Sequence, residues 1–230
     1  NGFININQEK MSKSLGNILT IKQLLTQYHP EIIRCFLLSK HYRSPIDFTL
    51  EHLAEGKKIM NNLYLSLKNI QECIGDQKPN GCFKEEDFSG EEARLYQAIS
   101  SLKERFIRAM DADFNTAQAL GYIIQISKMV NNYLEKLSLE KRSGEKLLFL
   151  LYKAREELLD TVQVLGILRE NPENYHLLIE TEFFDDLDTF ITALESKAIF
   201  DLKKPLDPEW IKSQVKAREE ARMNNDWDRA

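Results

Sequence analysis

The sequence predicts a mainly α-helical protein with a small β element at its N-terminus. Three observations carry that expectation. Apolar residues recur at three- and four-residue spacing over roughly 91–110, 116–137 and 144–165, as they do on the buried stripes of bundle helices. A further long helical pattern, with Leu53, Ile59, Leu63, Leu67 and Ile70, follows Thr49. Strand-like alternation is confined to Phe3, Ile4 and Ile6, and the glycine-poor chain shows no βαβ unit.

The elements follow in order. Phe3–Ile6 reads as a short strand, half of a hairpin, and a polar loop from Gln8 to Leu19 comes next. Thr20-Ile-Lys-Gln23 is a capping box, opening a helix with Ile21, Leu24 and Leu25 on one face. Pro30 suits the first turn of a second helix, whose apolar positions are Ile32, Ile33, Phe36 and Leu37. The stretch "HYRSPIDF" is a break before the Thr49-capped helix. Residues 75–90, "GDQKPNGCFKEEDFSG", read as a polar linker marked by Gly and Pro. The three long helical patterns come next. A loop with Pro172 then leads to a helical stretch near Phe183–Ala198, and beyond Pro205 and Pro208 the pattern resumes at Trp210 and becomes strongly charged. The chain starts within strand-like sequence, without Met, and stops within a helical pattern, which reads as a fragment of a longer protein.

Composition narrows the function classes. At 230 residues, 43% hydrophobic and 29% charged, the chain is an ordinary soluble sequence, with no apolar run of membrane-spanning length and no signal peptide. Cys35, Cys73 and Cys82 form no CxxC pair, as expected of free thiols in a reducing compartment. The net charge of −5 is unevenly spread. Residues 1–70 hold nine Lys/Arg against five Asp/Glu, a net of +4, and leave −9 on the remainder. A localised anionic partner near the N-terminal part, or chance clustering, would account for this asymmetry.

The chemistry concentrates in "EKMSKSLGN", Glu9–Asn17. Lysine is a compact charge on a flexible stem, suited to following phosphate oxygens as they move. Ser12 and Ser14 add hydroxyl donors, and Gly16 lets successive backbone N–H groups turn toward an anion. Such a loop can close on a triphosphate and stabilise the charge that builds as pyrophosphate leaves.

"KMSKS" is the signature of class I aminoacyl-tRNA synthetases. With "EIIRCFLLSKHYRSPIDFT", "FIRAMDADFNTAQAL" and "AREEARMNNDWDRA", in that order, the chain resembles the C-terminal half of cysteinyl-tRNA synthetases over nearly its whole length. The resemblance implies residues 1–48 as the end of a catalytic domain with the KMSKS loop and stem-contact region. It implies 49–200 as an antiparallel, anticodon-binding type of helical bundle, and 201–230 as the start of a small C-terminal anticodon-recognition domain. Lys10, Met11, Ser12, Lys13 and Ser14 would bind ATP, with Lys13 the principal contact and Lys10 assisting. The complete protein would use ATP with magnesium to activate cysteine and would esterify it to tRNA-Cys. It would be monomeric and cytoplasmic, with zinc held by ligands outside this chain.

Lys40 and Arg43 are candidate phosphate contacts on the tRNA; equally, "HYRSP" could be a structural corner with Arg43 paired to Asp47. Arg222 and Trp227 suit stacking on unpaired bases, or belong to a solvated charged helix docked by its Trp. Asp111, Asp113 and Asn115 have the opening spacing of a calcium loop, but Thr116 and Tyr122 stand where glycine and glutamate are needed. Asn115 or Thr116 as a helix N-cap fits better. His29, His41, His52 and His176 are followed by Pro, Tyr, Leu and Leu, so the second class I motif, His-Ile-Gly-His, is not in this sequence and no metal ligand is assigned. Two other readings stay open: a cysteine:amino-sugar ligase of similar fold, against which Arg222–Trp227 count, and a non-catalytic helical tRNA-binding module, against which Lys10–Ser14 count.

Overall fold

A three-stranded sheet gathers the N-terminal quarter of the chain. In the computed structural model, which describes residues 2–6, 9–10, 20–140 and 144–178, β1 (Ile4–Ile6) lies between β2 (Glu9–Lys10) and β3 (Ile46–Phe48). β1 and β2 form the expected hairpin, antiparallel with Asn5 opposite Lys10. β3, inside the stretch expected to be a break, pairs with β1 in parallel, Ile4 opposite Ile46 and Ile6 opposite Phe48. The N–H of Gly2 donates to the Tyr42 carbonyl at 2.8 Å and that of Ile46 to Phe3 at 2.9 Å, extending the seam. A side chain at Gly2 would run into the carbonyl of Ser44, so this approach needs glycine.

The rest is mostly helical. Thr20 makes the expected capping box, its hydroxyl accepting from the Gln23 N–H while the Gln23 side chain accepts from the Thr20 N–H. The helix it opens, α1 (Ile21–Leu24), is one turn long and buries Leu24 alone; Ile21 and Leu25 face solvent. α2 (Pro30–Leu38) starts with Pro at its first turn and buries Ile32, Ile33, Cys35 and Phe36. α3 (Leu50–Ile74) is capped by Thr49, whose hydroxyl accepts from the His52 N–H at 3.2 Å. It buries Leu53, Met60, Leu63, Leu67 and Ile70 and packs on α2 along one side.

The expected helix at 91–110 is two, α4 (Gly90–Ser100) and α5 (Leu102–Asp111). Ser101 divides them, its hydroxyl turned back to the Ala98 carbonyl at 3.1 Å, the local hydrogen bond by which Ser competes with a helix. α6 (Thr116–Glu140) and α7 (Glu145–Leu165) follow as expected, and Pro172 opens a short α8 (Pro172–Leu178) instead of lying in a loop. Asn115 caps α6, its side-chain oxygen accepting from the Gln118 N–H at 3.1 Å. The core lies where α3, α6 and α7 meet: Met60, Leu63 and Ile70 with Ile123, Ile126, Val130, Leu151, Ala154 and Leu158, all nearly or fully buried. Ser66 and Ser127 touch through their hydroxyls at the crossing of α3 and α6.

The stretch 75–90 is packed. Phe88 is buried and stacks on Tyr96 and Phe149, with Phe83 edge-on to Phe149 at 5.4 Å. All described residues fall within one compact unit, Asn1–Thr181. The helical stretch expected at 183–198 and the C-terminal segment 201–230 lie outside the described residues.

Candidate functional site

The Lys10–Ser14 segment falls in the chain between two described elements, β2 and the Thr20-capped α1. Lys10 lies in β2, its backbone paired to Asn5. Residues 11–19 lie outside the described residues, among them Met11, Ser12, Lys13 and Ser14. Thr20, with its capping box, marks the return, and α1 passes within five residues into α2. Leu24 and Tyr28 are buried along this connection, and the Tyr28 N–H donates to the Leu24 carbonyl at 2.9 Å.

Beside β3 the "HYRSP" corner meets "MDADFNT". Asp113 and Phe114 both adopt left-handed backbone, with φ of 59° and 53°, at a cost of about 1 kcal/mol or more for each L-residue. That turn aims the Asp113 carboxylate at the corner. Tyr42 donates its hydroxyl to Asp113 Oδ1 at 2.8 Å, and Arg43 reaches both carboxylate oxygens, Nε to Oδ2 at 2.9 Å and Nη2 to Oδ1 at 3.0 Å. Arg43 also donates to the Tyr42 hydroxyl at 2.9 Å, and His41 stacks on Tyr42. Tyr42 and Asp113 together raise the Arg43 pKa above its ordinary value. The corner reading of Arg43 therefore holds with a different partner: Asp113, seventy residues on, rather than Asp47. Asp47 sits in β3, where its carbonyl is held against the His52 ring at 2.8 Å. The bidentate fork leaves the Arg43 side chain 66% exposed, so the guanidinium still faces solvent. Lys40, after the end of α2, is exposed as well.

At the other end of α2 stands a buried carboxylate. Glu31 is 3% exposed. Its Oε2 accepts from the Tyr64 hydroxyl at 2.8 Å and the Leu168 N–H at 2.9 Å, and its Oε1 from the Arg169 N–H at 2.9 Å. The same Tyr64 hydroxyl accepts from the Glu170 N–H at 3.1 Å. Three donors satisfy a group that would be costly to bury alone. The receiving turn is built for it: α7 ends at Gly166 with φ of 66°, Leu168 is again left-handed with φ of 57°, and the pair exposes consecutive N–H groups to one anion. One helical turn beyond Glu31, the Arg34 guanidinium donates to the Gly166 carbonyl. Tyr175 stacks on Tyr64 with ring centroids 3.7 Å apart, and His29, whose Nδ1 accepts from the Glu31 N–H, packs edge-on to Tyr175. Burial raises the pKa values of both tyrosines well above the usual range, and it lowers that of His29 against the pull of Glu31 and Glu170.

The structure thus joins Lys40 and Arg43 to one exposed corner and puts Lys10 on the neighbouring sheet. Arg222 and Trp227 lie outside the described residues. Sequence reasoning missed Glu31, which directly after Pro30 reads as an ordinary solvated acid in a first turn. It also missed the joining of Arg43 to Asp113, for which no local signal exists. Among the described residues no cluster of three or more His, Cys, Asp or Glu could hold a metal ion, and no helix is long and apolar enough to cross a membrane.

Residues 1–58 match the family described as the tRNA synthetases class I (C) catalytic domain, and residues 105–169 match the DALR domain. A cysteine–tRNA ligase of Syntrophobacter fumaroxidans is 37% identical over 206 residues, covering 89% of this chain and 41% of that protein. One of Thermococcus gammatolerans is 35% identical over 87% of this chain and 40% of its own length. One of Geobacter metallireducens is 37% identical over 100% of this chain and 42% of its own. The chain spans about two-fifths of the length of these relatives.

Proposed function

Because the chain belongs to the cysteine–tRNA ligase family, we propose that it is the part of such an enzyme that presents the ATP-phosphate loop and carries the tRNA-binding helices. In the complete protein the cysteine carboxylate attacks the α-phosphorus of ATP, pyrophosphate leaves, and the cysteinyl group passes from the adenylate to the 3′ end of tRNA-Cys. Lys10, Met11, Ser12, Lys13 and Ser14 form the KMSKS loop. The Lys13 ammonium, assisted by Lys10, stabilises charge on the departing phosphates, and magnesium accompanies the ATP. Zinc for cysteine selection belongs to residues outside this chain. Lys40 and Arg43 would contact phosphates of the tRNA, and Arg222 and Trp227 its anticodon.

The proposed division is 1–48 as the end of the catalytic domain, 49–200 as an antiparallel bundle of anticodon-binding type, and 201–230 as the start of the C-terminal domain. The complete enzyme is taken to be monomeric and cytoplasmic.

The observation that carries this reading is the likeness along the entire chain, with KMSKS in the matched catalytic segment and the DALR match in the helices. Pyrophosphate exchange by the full-length protein tests it. With cysteine and ATP the wild type should exchange pyrophosphate, and with serine it should not. Lys13→Ala should slow exchange by roughly a hundredfold, about 3 kcal/mol of barrier, as for one lost oxyanion donor. Near wild-type exchange by that variant would refute the role of Lys13.

A further inference from the structure

We propose that Phe114 is a stacking contact for an unpaired base of the tRNA, beside the phosphate donors of the Tyr42–Arg43 corner. The inference rests on the function proposed above and deepens it, adding a kind of contact that Lys40 and Arg43 cannot supply.

Phe114 is unusual on two counts. At 64% exposure it is the most exposed aromatic side chain among the described residues. Its backbone is left-handed, with φ of 53°, a conformation that Gly or Asn takes readily and a bulky residue rarely. Strain of this kind persists only where the surroundings fix it, and it points to function. Here they do fix it. The Phe114 N–H donates to the Met110 carbonyl at 2.9 Å, and its own carbonyl accepts from the Thr116 N–H at 2.7 Å. The Asn115 N–H donates to the Ala109 carbonyl at 3.0 Å, and the Thr116 hydroxyl to the Leu38 carbonyl at 3.0 Å. The turn is held from both sides, and what it presents to solvent is a ring.

The setting of that ring suits a nucleotide. Asp113, the residue before it, takes Nε and Nη2 of Arg43. Nη1 makes no hydrogen bond among the described residues, so the guanidinium is a planar donor held still with one edge free. The Arg43 guanidinium carbon lies 5.4 Å from the centre of the Tyr42 ring, which stacks on His41 at 4.9 Å. Lys40 is exposed beside them in the chain. Asp111 and Asp113, both exposed, offset Lys40 and Arg43 in charge. Charge alone would therefore hold a polyanion weakly at this corner. Stacking needs no charge, and a fixed phosphate donor next to a free ring is the pair of groups with which proteins hold single-stranded nucleotides. The corner is also where the two matched segments touch: Tyr42 and Arg43 belong to the first, Asp113 and Phe114 to the second.

The test measures binding of a tRNA-Cys transcript to the full-length protein across a range of salt concentrations. Phe114→Asn removes the ring and fits the left-handed backbone. Its Kd should rise about tenfold, with the slope of log affinity against log salt unchanged because no ion pair is lost. Its melting temperature should equal or exceed that of wild type, since the strain is relieved. Phe114→Trp keeps a stacking face and should bind within about twofold of wild type. A Kd within twofold of wild type for Phe114→Asn overturns the proposal. So does an equal loss in the Trp variant, or a lower melting temperature for Phe114→Asn, which would make the ring a contact within the protein. Wild-type protein that does not bind the transcript overturns the functional reading, and this proposal with it.

Discussion

Replacing Tyr64 by Phe removes one oxygen atom from the best-connected polar node of the core. That oxygen donates to Glu31 at 2.8 Å and accepts from the Glu170 N–H at 3.1 Å. The ring itself stays, and so does its stack on Tyr175. Two terms then set the cost. Losing a hydrogen bond to a charged acceptor removes about 2 kcal/mol, and a part-buried N–H left without its partner adds about 1 kcal/mol. A loss of about 3 kcal/mol corresponds to a fall of roughly 6–12 °C in Tm for a chain of this size. Urea unfolding followed by circular dichroism measures the first figure, with an unchanged m-value as the sign that the denatured state is unaltered. Tyr42→Phe is the control, since its hydroxyl binds Asp113 at the exposed corner, and should cost no more than about 1 kcal/mol. A Tyr64→Phe loss below about 1 kcal/mol, or one equal to the control, would refute the claim that the Glu31 node is a tightly satisfied buried network.

Three further outcomes are expected. Gly166→Ala should lose about 1–2 kcal/mol in urea unfolding, because a Cβ at φ of 66° is strained and meets the Arg34 guanidinium. Alkylation of the native protein at pH 8 should label the exposed Cys73 and Cys82 and spare Cys35, which is 0% exposed with its thiol pushed up to about 12 by burial and then by the charge of Glu31; equal labelling of all three by mass spectrometry would contradict this. Arg43→Ala should reduce the slope of log affinity for tRNA against log salt by about 1, and an unchanged slope would leave Arg43 solely as the clasp of Asp113.

Local signals were legible in the sequence and non-local ones were not. The Thr20 box, Pro30 and Thr49 mark helix starts because a cap is a contract between residues three apart, visible in any window that contains them. The break at Ser101 carries no Gly or Pro, and a serine that turns its hydroxyl back on the helix reads like one that faces water. β3 is three residues long and owes its existence to β1, more than forty residues earlier. The stretch 75–90 reads as a linker by its Gly, Pro and charges, yet Phe83 and Phe88 tie it to Phe149. For the site, "HYRSP" and "MDADFNT" each stood out as stretches, and their meeting did not. Glu31 was invisible for the same reason: two of its three partners are backbone amides, which every sequence has, and the third, the Tyr64 hydroxyl, lies 33 residues away.

The sheet has a consequence for the order in which the molecule assembles. α6 and α7 mature from neighbours along the chain, so their contacts are cheap in loop closure and form early. The parallel pairing of β1 with β3 must instead close the chain from Ile4 to Ile46, a span that includes the Lys10–Ser14 segment, α1 and α2. That closure gains little until α2 is already seated on α3. The hairpin strand is then among the last pieces to dock. In refolding from urea, helical signal should recover in the fast phase, while the seam between β1 and β3 closes only in the slow one.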